Sequence, residues 1–296
     1  MRQHPIVYRE MTATQLIELY DDSLSIPNFF DLLQQNRVNA KIMKDRLQPF
    51  SDIAYGKEAI QKLDIYAPKN AKNSAVLIDI HGGGWVAGSK NARSIPAEFI
   101  TEENVIWVPI DYGLAPEYKM ATLIAHIRSA LVWAYQNINH YGGDRHRIYI
   151  TGQSAGAHLA ATALMPGWHQ HFDVPEDFIK GLVALSGIYD LKSLIHSPDN
   201  PTKDALGLTL EEAQGFSPLF HLPQKSIPCI IAYGSKEPLA YRYEAEIYAK
   251  ALMVAGCNVS LIKVPDANHF DMINELANTG GELFKASMAM ICPKKL

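Results

Sequence analysis

Short apolar runs separated by helical stretches constrain this 296-residue chain more than any other feature. "LDIYAP" (63–68), "AVLIDIHG" (75–82), "VIWVPIDYG" (105–113), "RIYITG" (147–152), "GLVALSGIYD" (181–190), "PCIIAYG" (228–234) and "VSLIKV" (259–264) are β-branched runs, most closed by Gly, Asp or Pro. They read as buried strands. Met120, Leu123, Ile124, Ile127, Leu131, Ala134 and Ile138 recur at three- and four-residue steps, which predicts a helix over 120–139 with one apolar stripe. A second helix is expected from Pro238, suited to a first turn, to Gly256, a natural stop. Alternation of this kind predicts an α/β fold, a mostly parallel central sheet with helices on both faces. Ligands of such sheets sit beyond the carboxyl ends of the strands.

The residues at those ends carry the chemistry. "HGGGW" (81–85) follows one strand, "GQSAG" (152–156) another, "SKEP" (235–238) a third and "DANHF" (266–270) a fourth. Ser154 stands between an apolar strand and an Ala-rich helix with Gly152 and Gly156 two positions away on either side. A serine on so sharp a turn needs small flanking residues to let strand and helix approach, and its hydroxyl then stands clear as a nucleophile. The bland alternative is a tight turn. His269 is far from Ser154 in sequence but on the same edge, where a general base would sit. His158, one helical turn after Ser154, is the competitor, although a helix position favours a packing or hydrogen-bonding role. Glu237, at its own strand end between Ser154 and His269 in chain order, is the expected acid of the triad, with the nearby Asp266 and Asp271 as local alternatives.

The glycine run has three readings. Gly82, Gly84 and Ala87 fit a dinucleotide-binding pattern, and Gly83 to Gly88 nearly fit a phosphate-binding loop. Against these, Ser89 precedes Lys90, the reverse of the order that reaches phosphate and Mg²⁺, and Trp85 places an indole where a pyrophosphate would approach. The third reading is an oxyanion hole: Gly83 and Gly84 leave backbone N–H groups unshielded, and Ala155, next after the nucleophile, adds another. His81 is expected to brace this turn.

Charge and cysteine usage narrow the partners. A net charge of −4 without a dense basic run gives no footprint for nucleic acid or an anionic membrane. Cys229, Cys257 and Cys292 are an odd, widely spaced set, which argues against a disulfide framework and a zinc site and suits the cytoplasm. "MRQHPIVYREMTATQ" lacks an apolar core, so neither signal peptide nor anchor is expected. No cofactor is called for, and the expected partner is a small-molecule ester or amide substrate.

"HGGGW", "DYGLAPEY", "GQSAGAHL", "LSGIYDL" and "SPL" (217–219), in this order, resemble the α/β-hydrolase superfamily, in particular its kynurenine formamidase-like (arylformamidase) branch beside the hormone-sensitive-lipase-like esterases. The resemblance covers about residues 50 to 275. It implies Ser154, Glu237 and His269 as a catalytic triad, Gly83, Gly84 and Ala155 as oxyanion donors, and a cofactor-free hydrolase. "LSGIYDL" and "SPL" lean to formamidase, whereas "HGGGW" and "LAPEY" lean to general esterase.

Residues 1–50 hold "QLIELY" and "NFFDLLQQ", apolar residues at helical spacing that would make either a lid over the strand ends or a helical pair on the core. Residues 51–296 then form the catalytic domain, with a short cap insertion at about 191–226, where Thr209 and Glu212 have capping-box spacing. The pocket is expected to be shallow, lined by Trp85, Tyr118, Tyr189 and Phe270, and to suit short acyl groups or a small aromatic leaving group.

Overall fold

The computed structural model describes residues 6–9, 11–21, 23, 26–198 and 200–293. At its centre is an eight-stranded sheet in the order β10-β9-β8-β7-β5-β6-β4-β3. The strands are β3 (Phe50–Ala54), β4 (Lys62–Ile65), β5 (Ser74–Ile80), β6 (Val105–Ile110), β7 (Gly143–Gln153), β8 (Ile179–Leu185), β9 (Pro228–Gly234) and β10 (Asn258–Val264). From β6 to β10 every pairing is parallel, while β4 runs antiparallel to both β6 and β3. Each run read as a strand forms one, shorter at some ends. The run over 181–190 stops at Leu185 because Ser186 takes a φ of 49°, outside the β region. β3 escaped the sequence reading. Its residues are mostly exposed at the sheet edge, so it lacks the apolar signature of its neighbours.

β5 and β6 are buried along their whole length, as expected of parallel strands covered on both faces. Alternate β5 residues serve different cores. Val76, Ile78 and Ile80 join Leu123, Ile127 and Leu131 of α4 (Met120–Asn137), Leu159 of α5 (Ala155–Thr162) and Tyr248 of α9 (Leu239–Val254). Ala75 and Leu77 join Ile100 of α3 (Ala97–Glu102) and Leu283 and Met288 of α10 (Glu282–Ile291). Helix, sheet and helix layers thus bring the carboxyl ends of β5, β7, β9 and β10 to one edge.

Before the sheet come a small hairpin, β1 (Ile6–Tyr8) with β2 (Met11–Thr12), then α1 (Ala13–Tyr20) and α2 (Phe29–Leu47). Thr12 closes a capping box with Gln15 at the start of α1. Tyr20 hydrogen-bonds Ser193 at 2.6 Å, and Arg9 pairs with the buried Asp190 at 2.5 Å. Residues 191–226 hold three short helices, α6 (Lys192–His196), α7 (Pro201–Leu206) and α8 (Leu210–Gly215), the last opened by the Thr209–Glu212 capping box.

Candidate active site

Ser154 follows β7 and precedes α5, with φ 57° and ψ −125°. For a residue with a Cβ this is a strained conformation, costing on the order of 1–3 kcal/mol. Its amide is held by the Leu185 carbonyl at 2.9 Å. The flanking glycines are steric necessities. A Cβ on Gly152 would lie 2.3 Å from the Gly156 oxygen, and one on Gly156 2.0 Å from the Ile80 oxygen. The turn therefore forms only where strand and helix touch backbone to backbone.

The glycine turn after β5 lies against this elbow: a Cβ on Gly82 would stand 3.2 Å from Ser154 Cβ. Gly83 has φ 117°, and its carbonyl accepts from the amides of Val86 and Ala87 at 3.1 and 2.9 Å. That curl leaves the amides of Gly83 and Gly84 without an acceptor among the described residues, and the Ala155 amide at the first turn of α5 has none either. Backbone donors of this kind are suited to stabilise negative charge on an oxygen placed before them. His81 Nδ1 lies 2.8 Å from the Gly82 carbonyl, and its ring stacks on Tyr112 at 4.3 Å.

Glu237 and His269 meet at the ends of β9 and β10. His269 Nδ1 is 2.5 Å from Glu237 Oε1. The other carboxylate oxygen, Oε2, accepts from Ser186 Oγ at 2.8 Å and from the Gly234 amide at 2.5 Å. With its acceptor sites filled this way, the carboxylate holds one orientation. The imidazole stacks on Tyr241 at 4.4 Å, and Nε2 is 3.4 Å from the Tyr241 hydroxyl. Among the described residues the Ser154 hydroxyl makes no hydrogen bond to His269; such bonds commonly tighten only with substrate bound.

The local acids lie elsewhere. Asp266 is exposed and pairs with Lys236 at 3.3 Å, and Asp271 accepts from the Asn268 amide at 2.9 Å. His158 is buried, its Nδ1 accepting from Trp85 Nε1 at 3.2 Å and its Nε2 lying 2.8 Å from the Phe216 carbonyl. Burial pushes its pKa down to about 4. Lys90, the cation a phosphate-binding loop would need, is instead buried between Asp52 at 2.7 Å and Asp64 at 2.8 Å.

The expected pocket lining needs correction. Trp85 is wholly buried, its indole packed edge-on against His158. Tyr189 is also wholly buried, stacked on Tyr248 at 4.0 Å. Both belong to the core and offer no surface to a ligand. Tyr118 is half-buried and packs on Gly113 and His126, and Phe270 packs edge-on against Phe29 at 5.0 Å. A cleft of about 220 Å³ lined by Leu164, His169, Ile179 and Pro228 lies at the opposite edge of the sheet, where β8 and β9 begin. Sequence reasoning missed Ser186 and Tyr241, the partners of the Glu237–His269 pair. Ser186 lies inside "LSGIYDL", where its polarity after an apolar strand was the available signal.

A sheet of this order, with a strained serine at the end of its central strand, is the architecture of the α/β-hydrolases. An esterase from Pyrobaculum calidifontis superposes with a TM-score of 0.68 at 18% identity, covering 87% of this chain and 91% of its own. The BD-FAE family matches residues 63–252, and the chain belongs to it. Kynurenine formamidase of Danio rerio is 33% identical over 250 residues, 82% of each chain. Isoprenylcysteine alpha-carbonyl methylesterase ICME of Arabidopsis thaliana is 26% identical over 314 residues, covering 98% of this chain and 71% of its own. The protein is a hydrolase. Among the described residues no helix is long and apolar enough to cross a membrane.

Proposed function

We propose that the protein is a serine esterase that cleaves small carboxylic esters through an acyl-enzyme intermediate. One observation carries this reading: the strained Ser154 turn shares a sheet edge with the His269–Glu237 pair and with three backbone amides that have no acceptor among the described residues. Ser154 Oγ attacks the ester carbonyl while His269 takes its proton at Nε2. Glu237 receives the Nδ1–H bond, fixing the tautomer and stabilising the imidazolium. The amides of Gly83, Gly84 and Ala155 receive the oxyanion. His269 then protonates the leaving alcohol, and a water activated by the same base releases the acid.

Residues 51–296 form the catalytic domain in this reading, with 191–226 as cap and the 1–50 segment as lid. Contacts of the N-terminal segment support the lid: Leu19 O accepts from the Tyr241 hydroxyl at 3.0 Å, and Phe29 meets Phe270 next to His269. The free thiols Cys229, Cys257 and Cys292 support a cytoplasmic enzyme. A second reading, arylformamidase, draws on the identity to the Danio rerio kynurenine formamidase.

Short acyl groups are the substrates we expect at this site. One methylene is worth only about 1–3 kcal/mol in an apolar pocket, so a chain-length series is needed. kcat/KM for p-nitrophenyl acetate and butyrate should exceed that for decanoate, with N-formylkynurenine comparable or slower. A decanoate preference would contradict the short-acyl reading. A formylkynurenine value far above every ester would put arylformamidase first.

A further inference from the structure

Asp79, Arg93 and Gln153 form a buried chain beneath the candidate site. Asp79, near the end of β5, is fully buried and takes Arg93 through both oxygens, with Nε to Oδ2 and Nη2 to Oδ1 each at 2.7 Å. Arg93 follows the glycine turn, and its own carbonyl is tied down by Trp107 Nε1 at 2.8 Å. The remaining guanidinium nitrogen, Nη1, donates to Gln153 Oε1 at 3.1 Å. Gln153 is the residue before Ser154, and its Nε2 donates to the backbone carbonyl of His269.

The direction of the chain is fixed by chemistry. A guanidinium has donors only, so the Gln153 oxygen must face Arg93. That leaves only its NH₂ for the His269 carbonyl. A bidentate Arg–carboxylate pair is also among the more rigid polar contacts available to a protein. One rigid pair thereby orients a carboxamide that clamps the loop carrying the base onto the strand carrying the nucleophile, and it does so from the segment that follows the oxyanion turn.

We propose that Asp79, Arg93 and Gln153 are positioning residues of the hydrolytic reaction, holding His269 in register with Ser154 through the His269 backbone. The inference rests on the roles proposed above for Ser154 and His269. A displacement of about 1 Å at a reacting centre costs on the order of 10²-fold in rate, so the link should govern turnover more than substrate binding.

The test is Gln153→Met, which keeps the length of the side chain but loses both contacts. The concentration of reactive serine would be determined on a separate aliquot by exhaustive reaction with an organophosphorus reagent, and the untreated enzyme assayed with p-nitrophenyl acetate, so that kcat refers to folded, competent sites. The expected result is a kcat lowered about 10- to 100-fold with KM changed less than about threefold. Gln153→Glu keeps an acceptor for Arg93 and loses only the donor to His269, and it should lower kcat over the same range; it also serves if Gln153→Met does not fold. A kcat per titrated site within about twofold of wild type in these variants, with only the melting temperature lowered, would overturn the proposal and leave a purely structural role. Parallel losses in kcat and KM affinity would also overturn it, since they indicate a damaged pocket. Ser154→Ala separates the two levels: a variant that keeps wild-type turnover refutes the esterase mechanism, whereas an inactive Ser154→Ala beside a fully active Gln153→Met refutes only the positioning role.

Discussion

Two histidines flank the elbow serine, His158 one turn along α5 and His269 in the loop after β10, and they are buried almost equally, at 0% and 4% exposure. Their partners differ. His158 is spent on a neutral indole and a backbone carbonyl, and burial leaves its pKa at about 4. His269 has a carboxylate on Nδ1, itself anchored by Ser186 and the Gly234 amide. Burial alone silences an imidazole, because nothing offsets the cost of charging it. A fixed carboxylate supplies that offset, which is what a general base requires during turnover. Distance from Ser154 along the chain therefore says little; the identity of the second partner separates His158, a packing residue, from His269, the base proposed above.

The largest effect is expected from removing the carboxylate while keeping its shape. Glu237→Gln should lower kcat by about 10³- to 10⁴-fold with the fold intact, whereas Asp266→Asn and Asp271→Asn, whose side chains bond elsewhere, should stay within a few-fold of wild type. Steady-state kinetics on the three variants checks the ranking. The reverse order would hand the acid's role to the local loop.

A smaller effect is expected on the other side of the comparison. His158→Gln keeps a donor for the Phe216 carbonyl and an acceptor for Trp85, so kcat should remain within about threefold. Stability should change with pH. The His158 pKa is about 4 in the folded chain against 6.5 for an ordinary histidine, so the unfolded chain takes up the proton first as pH falls. Wild type thus loses stability between about pH 6.5 and 4, by at most about 3 kcal/mol from this residue. Denaturant unfolding at pH 7 and pH 4.5 should show a smaller loss in His158→Gln. An unchanged loss would mean that His158 does not stay neutral in the fold. His81, also pushed down to about 4 by burial, retains its own share in both proteins.

Much of this arrangement was legible in the sequence, for a physical reason. Parallel strands buried on both faces are near-continuous apolar runs, so their ends could be read, and Ser154, Glu237 and His269 stand just beyond β7, β9 and β10. Glycines enforced by backbone contact, such as Gly152 and Gly156, carry their own signature. Side-chain direction did not. Nothing in the sequence around Trp85 and Tyr189 distinguishes a pocket wall from a core ring, yet the first packs on His158 and the second stacks on Tyr248. The link from Asp79 through Arg93 to Gln153 was equally hidden, since it joins positions far apart in the chain without a characteristic spacing. Buried polar contacts depend on three-dimensional neighbours, and sequence periodicity does not report them.

The proposed mechanism turns on Ser154 as nucleophile, and the adduct it forms tests that directly. Treatment with a p-nitrophenyl phosphonate, followed by mass spectrometry of the intact protein and its peptides, should give one adduct per chain, located on Ser154, with rapid loss of esterase activity. Labelling should become far slower in His269→Ala, because the base is gone, and should be absent in Ser154→Ala. An adduct on any other residue, or full activity in a chain carrying the adduct on Ser154, would contradict the account.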